Sequence, residues 1–206
     1  MPGYEIVIVG TSWGGLAALR ELVGGLPKEF GLPLVIVQHR HKQSDHLLTS
    51  LLQDRTPLPV CEVEDKAPIE AGHVYVAPPD YHLLVESGYF SLSTDDPVRF
   101  SRPSIDVTLQ SAADTYGDRA VGVVLTGANA DGASGLKRVF DRGGLALVQL
   151  PVTAESPAMP AAALASVPKA RAMTISEIAA VIAGLAIRSA TQSTQSMQPT
   201  RAEGPR

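Results

Sequence analysis

Apolar and polar positions along the chain predict a repeated succession of strand, turn and helix. The apolar run Ile6–Val9 meets Gly10 and is followed by the periodic apolar residues Leu16–Leu19, which predicts a buried strand, a tight turn and a helix. Two further runs, Leu34–Val37 and Ala120–Leu125, are as apolar as buried parallel strands usually are, and each precedes a helical pattern. The sequence therefore predicts an α/β fold: a doubly wound, mainly parallel sheet with helices on both faces.

The middle of the chain has a different pattern. Two short β-prone runs, 81–85 and 89–93, are separated by Glu86–Gly88, and a glycine in so short a connection favours an added antiparallel β-hairpin. The stretch Thr94–Pro103 is polar and contains two prolines, which predicts a loop. It leads to Ser104, a residue type that commonly caps the start of a helix.

The C-terminal part contains a helix signal followed by a change in composition. Thr174–Glu177 has the pattern of a capping box, which predicts the start of a helix continuing to Ile187. From Ser189 the chain is rich in Ser, Thr, Gln and Pro, a composition typical of disorder. We therefore expect one domain over 1–188 and a disordered tail over 189–206.

Composition and charge exclude several classes of protein. A chain of 206 residues with 45% hydrophobic residues can bury one substantial core. The formal net charge of −4 gives no electrostatic reason to expect nucleic acid as a partner. Cys61 is the single cysteine, so an internal disulfide and a cysteine metal cluster are excluded. No signal peptide or apolar run of membrane-spanning length is evident, and we expect a cytoplasmic protein without membrane insertion.

A serine, a histidine and an aspartate each follow a predicted strand. Ser12 stands at the turn after the first strand, His39 follows the second, and Asp131 lies in the glycine-rich turn after the run ending at Leu125. Carboxyl ends of parallel strands meet at one edge of a sheet, so the three residues are candidates for a nucleophile, a general base and its orienting acid. Each also has a structural alternative: Ser12 and Asp131 as helix caps, and His39 as a hydrogen-bonded histidine at a strand end.

Other candidate sites are weaker. A dinucleotide-binding site is not favoured by the sequence. Ser12 takes the place of the middle glycine of the G-x-G-x-x-G motif, and His39 stands after the second strand, where such a site would need an acidic residue to bind the ribose. His39, His41 and His46 lie close in sequence without accompanying cysteines, so we expect neither a metal site nor a cofactor.

Two arginines and one more histidine also have alternative roles. Arg99 and Arg102 lie in the polar loop, where they either approach the active edge and suit an acidic substrate or form ion pairs with Asp95 and Asp96. His82 either lines the cleft or has a structural role.

Five stretches of the chain together resemble the catalytic domain of the chemotaxis receptor methylesterases of the CheB type. They are Val9–Gly15, Val37–His39, Val76–His82, Pro103–Val107 and Leu125–Gly132. The resemblance implies a carboxylic ester hydrolase with Ser12 as nucleophile, His39 as base and Asp131 as its orienting acid. It further implies removal of methyl groups, as methanol, from methylglutamate side chains of methyl-accepting chemoreceptors, with deamidation of receptor glutamines as a second activity.

The residues around the predicted nucleophile are expected to bind the oxyanion and the substrate. These are Trp13 and Gly14 after the serine, and Ala128 and Asn129 in the turn before Asp131. The family usually carries smaller residues in place of Trp13 and often methionine in place of Ala128, which leaves a serine esterase or amidase with an unrelated substrate as an alternative. A non-catalytic interaction module is a third possibility.

The expected partner is the cytoplasmic domain of a chemoreceptor, with other chemosensory proteins as further candidates. Well-known members of the family carry an N-terminal receiver domain, whereas this chain opens on the catalytic strand. The sequence therefore predicts a stand-alone catalytic domain without control by an attached receiver.

Overall fold

The computed structural model describes residues 3–40 and 47–196, with side chains described as far as Leu185. In these residues the strands are β1 (Ile6–Thr11), β2 (Leu34–Gln38), β3 (Val60–Glu62), β4 (Val74–Val76), β5 (His82–Val85), β6 (Phe90–Ser93), β7 (Ala120–Val124), β8 (Leu145–Gln149) and β9 (Arg171–Met173). The α-helices are α1 (Gly15–Gly24), α2 (Leu47–Gln53), α3 (Ile105–Tyr116), α4 (Ala133–Asp141), α5 (Ala158–Ser166) and α6 (Ile175–Ser196).

Seven of the strands form one sheet in the order β3-β4-β2-β1-β7-β8-β9. Every neighbouring pair in this sheet is parallel. In the central strand β1, Val9 lies opposite Ile36 of β2 on one side and Val123 of β7 on the other. The carboxyl ends of β1, β2 and β7 therefore lie side by side at one edge.

The two faces of the sheet carry separate apolar cores because strand side chains alternate in direction. Val7 and Val9 pack with α1, α2 and α6 on one face. Ile6 and Ile8 pack with α3, α4 and α5 on the other. The prediction of a doubly wound sheet with helices on both faces is confirmed.

The predicted hairpin is present, but it does not extend the main sheet. Among the strands of the described residues, β5 and β6 pair with each other and with no other strand, in antiparallel register with Leu83 opposite Leu92. Leu83, Val85 and Phe90 are buried in the same core as α3. The hairpin is thus a small second sheet that packs beside α3.

The C-terminal part differs from the prediction at two places. The sequence did not predict β9, a three-residue strand at the edge of the sheet whose side chains are exposed or half-buried, so no alternating pattern marks it. The α6 backbone continues to Ser196, beyond the domain boundary expected at 188, and the disordered tail stays a prediction. No proline or glycine stands between Ser189 and Ser196 to end the helix. Residues 197–206 lie outside the described residues.

Among the described residues, no helix combines the length and the apolar character that a membrane span requires.

Candidate active site

Ser12, His39 and Asp131 meet at the carboxyl edge of the sheet. The side chain of His39 bridges the other two: its Nδ1 lies 3.2 Å from Ser12 Oγ, and its Nε2 lies 2.8 Å from Asp131 Oδ2. The three residues come from turns after β1, β2 and β7. The structure therefore brings together the residues that the sequence placed at strand ends.

The order of the two ring nitrogens determines which tautomer of His39 fits. Asp131 Oδ2 is an acceptor when ionised, so His39 Nε2 carries a proton and donates it to this carboxylate. The lone pair then stands on Nδ1, which faces the hydroxyl of Ser12. A neutral His39 in this tautomer is ready to accept the serine proton.

Asp131 is fully buried, and its carboxylate is held from several sides besides His39. Oδ1 accepts hydrogen bonds from Ser104 Oγ at 3.0 Å and from the amides of Asp106 and Gly132, each at 3.0 Å. Oδ2 also accepts the amide of Ile105 at 2.7 Å. The carboxylate thus has a fixed position, and it holds His39 in one orientation.

These contacts combine the functional and the structural interpretation of Asp131. It is a helix cap, but for α3 rather than for the helix that follows it, since the donors at Ile105 and Asp106 belong to the first turn of α3. Ser104 is the N-cap residue of α3 but makes no capping hydrogen bond with its own side chain. Its hydroxyl is instead a donor to Asp131, a role that the sequence analysis missed.

The pKa values of two neighbouring buried carboxyls move in opposite directions. Burial by itself raises the pKa of Asp131, but the hydrogen bonds from His39 and from the amides of Asp106 and Ile105 outweigh it, so the pKa is lowered overall. For Asp106, burial raises the pKa, with the charge of Asp131 adding to it, and the Gly135 amide and Arg99 only partly offset this. Asp131 therefore stays ionised at neutral pH, as an acceptor for His39 must.

The predicted oxyanion residues are not equivalent in the structure. The amides of Trp13 and Gly14 point from the start of α1 and donate to no acceptor within the described residues. The Gly127 amide donates to Ser156 O, and Asn129 Oδ1 accepts the Asp131 amide at 3.0 Å. Ala128 is exposed. The Ala128 and Asn129 amides likewise donate to no acceptor within the described residues, and their turn adjoins Ser12, since a Cβ at Gly127 would lie 3.0 Å from Ser12 Cβ. Free backbone donors therefore border Ser12 both at the start of α1 and in this turn, while the Asn129 side chain supports the turn.

Two further polar side chains hold the Ser12 turn. Gln38 Nε2 donates to Ser12 O at 2.9 Å and to His39 O at 3.0 Å. Thr126 Oγ1 donates to Trp13 O at 2.9 Å, and its carbonyl accepts the Ser12 amide at 2.9 Å. The sequence analysis assigned neither role. The only local signal for Gln38 was a polar residue at the last position of an otherwise apolar strand.

Open cavities lie on both sides of the Ser12–His39 pair. One of about 420 Å³ is lined by His39, Arg40, Asp80, Pro97, Phe100, Ser101, Arg102 and Pro103. The other, of about 530 Å³, is lined by Ser12, Trp13, Gly14, Gly15, Leu16, Ala17, Arg20, Gln38 and Glu155. His39 thus lines one open cavity and Ser12 lines the other.

The loop arginines approach this edge but are engaged in other contacts. Arg102 donates to Asp80 Oδ1 at 2.7 Å and to the carbonyls of Thr94 and Asp95, and Arg99 lies 3.6 Å from Asp106 Oδ2. The expected ion pairs with the Asp95 and Asp96 side chains are not among these contacts.

His82 has a structural position. It is 2% exposed; its Nδ1 accepts the Ser104 amide, and its Nε2 donates to the Asp96 carbonyl.

Within residues 3–40 and 47–196, no group of three or more acidic, histidine or cysteine side chains could hold a metal ion. His41 and His46 lie outside the described residues. Burial, and secondarily the charge of Glu70, raises the pKa of the Cys61 thiol, so this cysteine is poorly suited to be a nucleophile.

Comparison with known proteins identifies relatives along most of the chain. The CheB methylesterase family matches residues 7–182. A putative protein-glutamate methylesterase/protein-glutamine glutaminase of Leptospira interrogans is 48% identical over 162 residues, which are 78% of this chain and 84% of the relative. Protein-glutamate methylesterase FrzG of Myxococcus xanthus is 37% identical over 72% of this chain but only 45% of its own length.

A solved structure has the same fold. The crystal structure of the Thermotoga maritima CheB methylesterase catalytic domain matches with a TM-score of 0.85 and 30% sequence identity, covering 89% of this chain and all of that domain. With this match and the family match over residues 7–182, the chain belongs to the CheB methylesterase family.

Proposed function

We propose that this chain hydrolyses methyl esters of glutamate side chains in methyl-accepting chemoreceptors and deamidates glutamine side chains of the same proteins. Membership of the CheB methylesterase family supports the reaction, and the names of the relatives support both activities. The observation that carries the proposal in this chain is the unbroken line of contacts from Ser12 through His39 to Asp131. The substrate side chains lie in the cytoplasmic domain of the receptor, and the reaction takes place in the cytoplasm.

The first half of the reaction forms an acyl-enzyme. Ser12 Oγ attacks the ester carbonyl carbon while His39 Nδ1 takes its proton. The negative charge that develops on the carbonyl oxygen is stabilised by the Trp13 amide and by an amide of the Ala128–Asn129 turn, which have no acceptor among the described residues. When the tetrahedral intermediate collapses, His39 returns the proton to the departing methoxide, and methanol leaves.

The second half regenerates the serine. His39 Nδ1 removes a proton from a water molecule, which attacks the acyl carbon. The new tetrahedral intermediate expels Ser12 Oγ, which recovers its proton from His39, and the glutamate carboxylate is released. With a glutamine side chain the same steps release ammonia instead of methanol. Throughout, the ionised Asp131 carboxylate stabilises the positive charge on His39.

The experiment that tests the proposal measures methanol release from a methylated chemoreceptor and labelling by a fluorophosphonate. We expect Ser12→Ala to lose both, with methanol release lowered by about 10³-fold or more. Ser134→Ala, which changes an exposed serine of α4, is the matched control and should keep both. If Ser12→Ala kept more than about a tenth of the activity, Ser12 would not be the nucleophile.

The same assay separates the proposal from its alternatives. If the protein hydrolysed small esters but released no methanol from the methylated receptor, a serine esterase or amidase with an unrelated substrate would be favoured. Absence of labelling in the folded wild-type protein would favour a non-catalytic interaction module.

A further inference from the structure

An exposed surface made by Trp13, which precedes α1, and by one side of α1 itself runs from the proposed nucleophile to an arginine. Trp13 is 66% exposed and Leu16 is 40% exposed, Ala17 is exposed, and Arg20 follows one turn later. We call these four residues the α1 stripe. All four line the cavity that contains Ser12. The stripe is thus a mostly apolar surface that begins at the reacting group.

Arg20, at the far end of the α1 stripe, has a positive charge without a partner among the described residues. It forms no ion pair there, and its Nε is buried with no hydrogen-bond acceptor. The adjacent Glu21 accepts a hydrogen bond from Ser176 Oγ, and Glu155, on the same cavity, lies against Gly14 instead. Other arginines nearby are satisfied differently, as Arg102 is by Asp80. A guanidinium with spare donors favours an incoming carboxylate.

The spacing of the α1 stripe sets the kind of ligand that fits it. Arg20 stands five residues after Gly15, the first residue of α1, which is about 8 Å along the helix axis. A ligand helix rises about 5.4 Å per turn. If it runs along α1, a residue facing Arg20 therefore lies one to two turns from the residue facing Gly15, at the end of α1 that adjoins Ser12. Apolar residues between them would pack on Leu16 and Ala17.

We propose that the α1 stripe is the docking surface for a helical segment of the methylated substrate, and that Arg20 selects segments with a carboxylate one to two turns from the methylated glutamate. This inference rests on the proposed function. It adds a specificity residue outside the Ser12–His39–Asp131 group and a stated chemistry for the substrate: an amphipathic helix with an acidic side chain near the reacting ester.

Synthetic helical peptides test this directly. Each carries one γ-methyl glutamate, and the residue four or seven positions away on either side is Glu, Gln or Lys. For the position that faces Arg20, we expect the wild-type protein to hydrolyse the Glu peptide with a kcat/KM about tenfold above that of the Gln peptide, as for a charge-assisted hydrogen bond. The Lys peptide should be the poorest substrate.

Variants at Arg20 show whether this residue is responsible. Arg20→Gln should remove the preference for Glu over Gln, and Arg20→Glu should reverse it in favour of Lys. Arg171→Glu makes the same change of charge on the exposed edge strand β9, outside both cavities, and should keep the wild-type preference.

The outcomes distinguish this inference from the function on which it rests. Equal hydrolysis of the three peptides by the wild-type protein, or an unchanged preference in Arg20→Gln and Arg20→Glu, would overturn the role of Arg20 and leave the methylesterase function standing. If the wild-type protein released methanol from none of the peptides and from no methylated receptor, the proposed function itself would fail.

Discussion

Replacing Asp131 by asparagine separates the two roles that its carboxylate combines. Asparagine has nearly the same shape, but one carboxylate oxygen becomes an amino group. With the amide oxygen in the Oδ1 position, the hydrogen bonds from Ser104, Asp106 and Gly132 are kept. The amino group then stands in the Oδ2 position, where it meets the donors of His39 and Ile105.

The cost to stability follows from these contacts. The Ile105 amide, now 2.7 Å from an acceptor oxygen, would be buried and unpaired, which costs about 1–3 kcal/mol. Loss of the charge at the start of α3 adds roughly 0.3–1 kcal/mol. We therefore expect the free energy of unfolding to fall by about 1–4 kcal/mol.

The cost to activity has a different cause. His39 can adapt to the amino group by accepting a hydrogen bond at Nε2, which moves its proton to Nδ1. That nitrogen faces Ser12 Oγ and could no longer take the serine proton. We expect kcat to fall by about 10⁴-fold, the loss that a wrong tautomer causes in a serine–histidine–aspartate site.

The assay combines urea unfolding with ester hydrolysis and fluorophosphonate labelling of the folded fraction. Ser104→Ala is the matched control, because it removes one donor to Oδ1 without touching the His39 contact. Ser104→Ala should lower the free energy of unfolding by about 1–2 kcal/mol. The factor by which it lowers kcat should be less than a tenth of the factor for Asp131→Asn. If folded Asp131→Asn kept more than about a tenth of wild-type kcat while losing stability, capping of α3 would be its only role, and the proposed base would need another orienting group.

Two further predictions concern the surroundings of the site. Trp13→Thr keeps the backbone amide and removes a side chain that is 66% exposed. KM for a methylated receptor should therefore rise more than kcat falls, with little change in Tm. A lower Tm with unchanged KM would instead mean that the Trp13 ring has a packing role. Burial raises the pKa of Asp106, so its ionisation destabilises the folded protein as pH rises from about 4 through the folded pKa. The unfolding free energy of Asp106→Asn minus that of the wild type should therefore increase between pH 4 and pH 7 in urea titrations, and a difference that stayed constant or decreased would contradict this assignment.

Much of the fold could be predicted from local patterns. Runs such as Ile6–Val9 and Leu34–Val37 are buried on both faces of a parallel sheet, and this burial is visible as continuous apolar sequence. The capping box at Thr174 is confirmed, since Glu177 Oε2 accepts the Thr174 amide at 2.8 Å and the Glu177 amide lies 3.3 Å from Thr174 Oγ1. All its atoms lie within one turn, so tertiary packing was not needed to predict it.

The meeting of Ser12, His39 and Asp131 could also be anticipated, because parallel strands that are neighbours in a sheet present their carboxyl ends at the same edge. The sequence determined that each residue directly follows such a strand or lies in the turn after it. Their roles in catalysis stay predictions for the experiments above.

Only the tertiary structure decided which groups hold these residues. The partners of Asp131 in α3 are 25 to 27 positions away in sequence, and a hydrogen bond between a turn and a distant helix leaves no periodic signal. The same is true of Arg20, which has no partner in the described part of the chain because of where Glu21 and Glu155 lie in space. Local sequence therefore determined the strands and the residues at their ends. Packing determined the contacts that orient the site residues, keep Asp131 ionised and line the site, because those contacts join segments that only folding brings together.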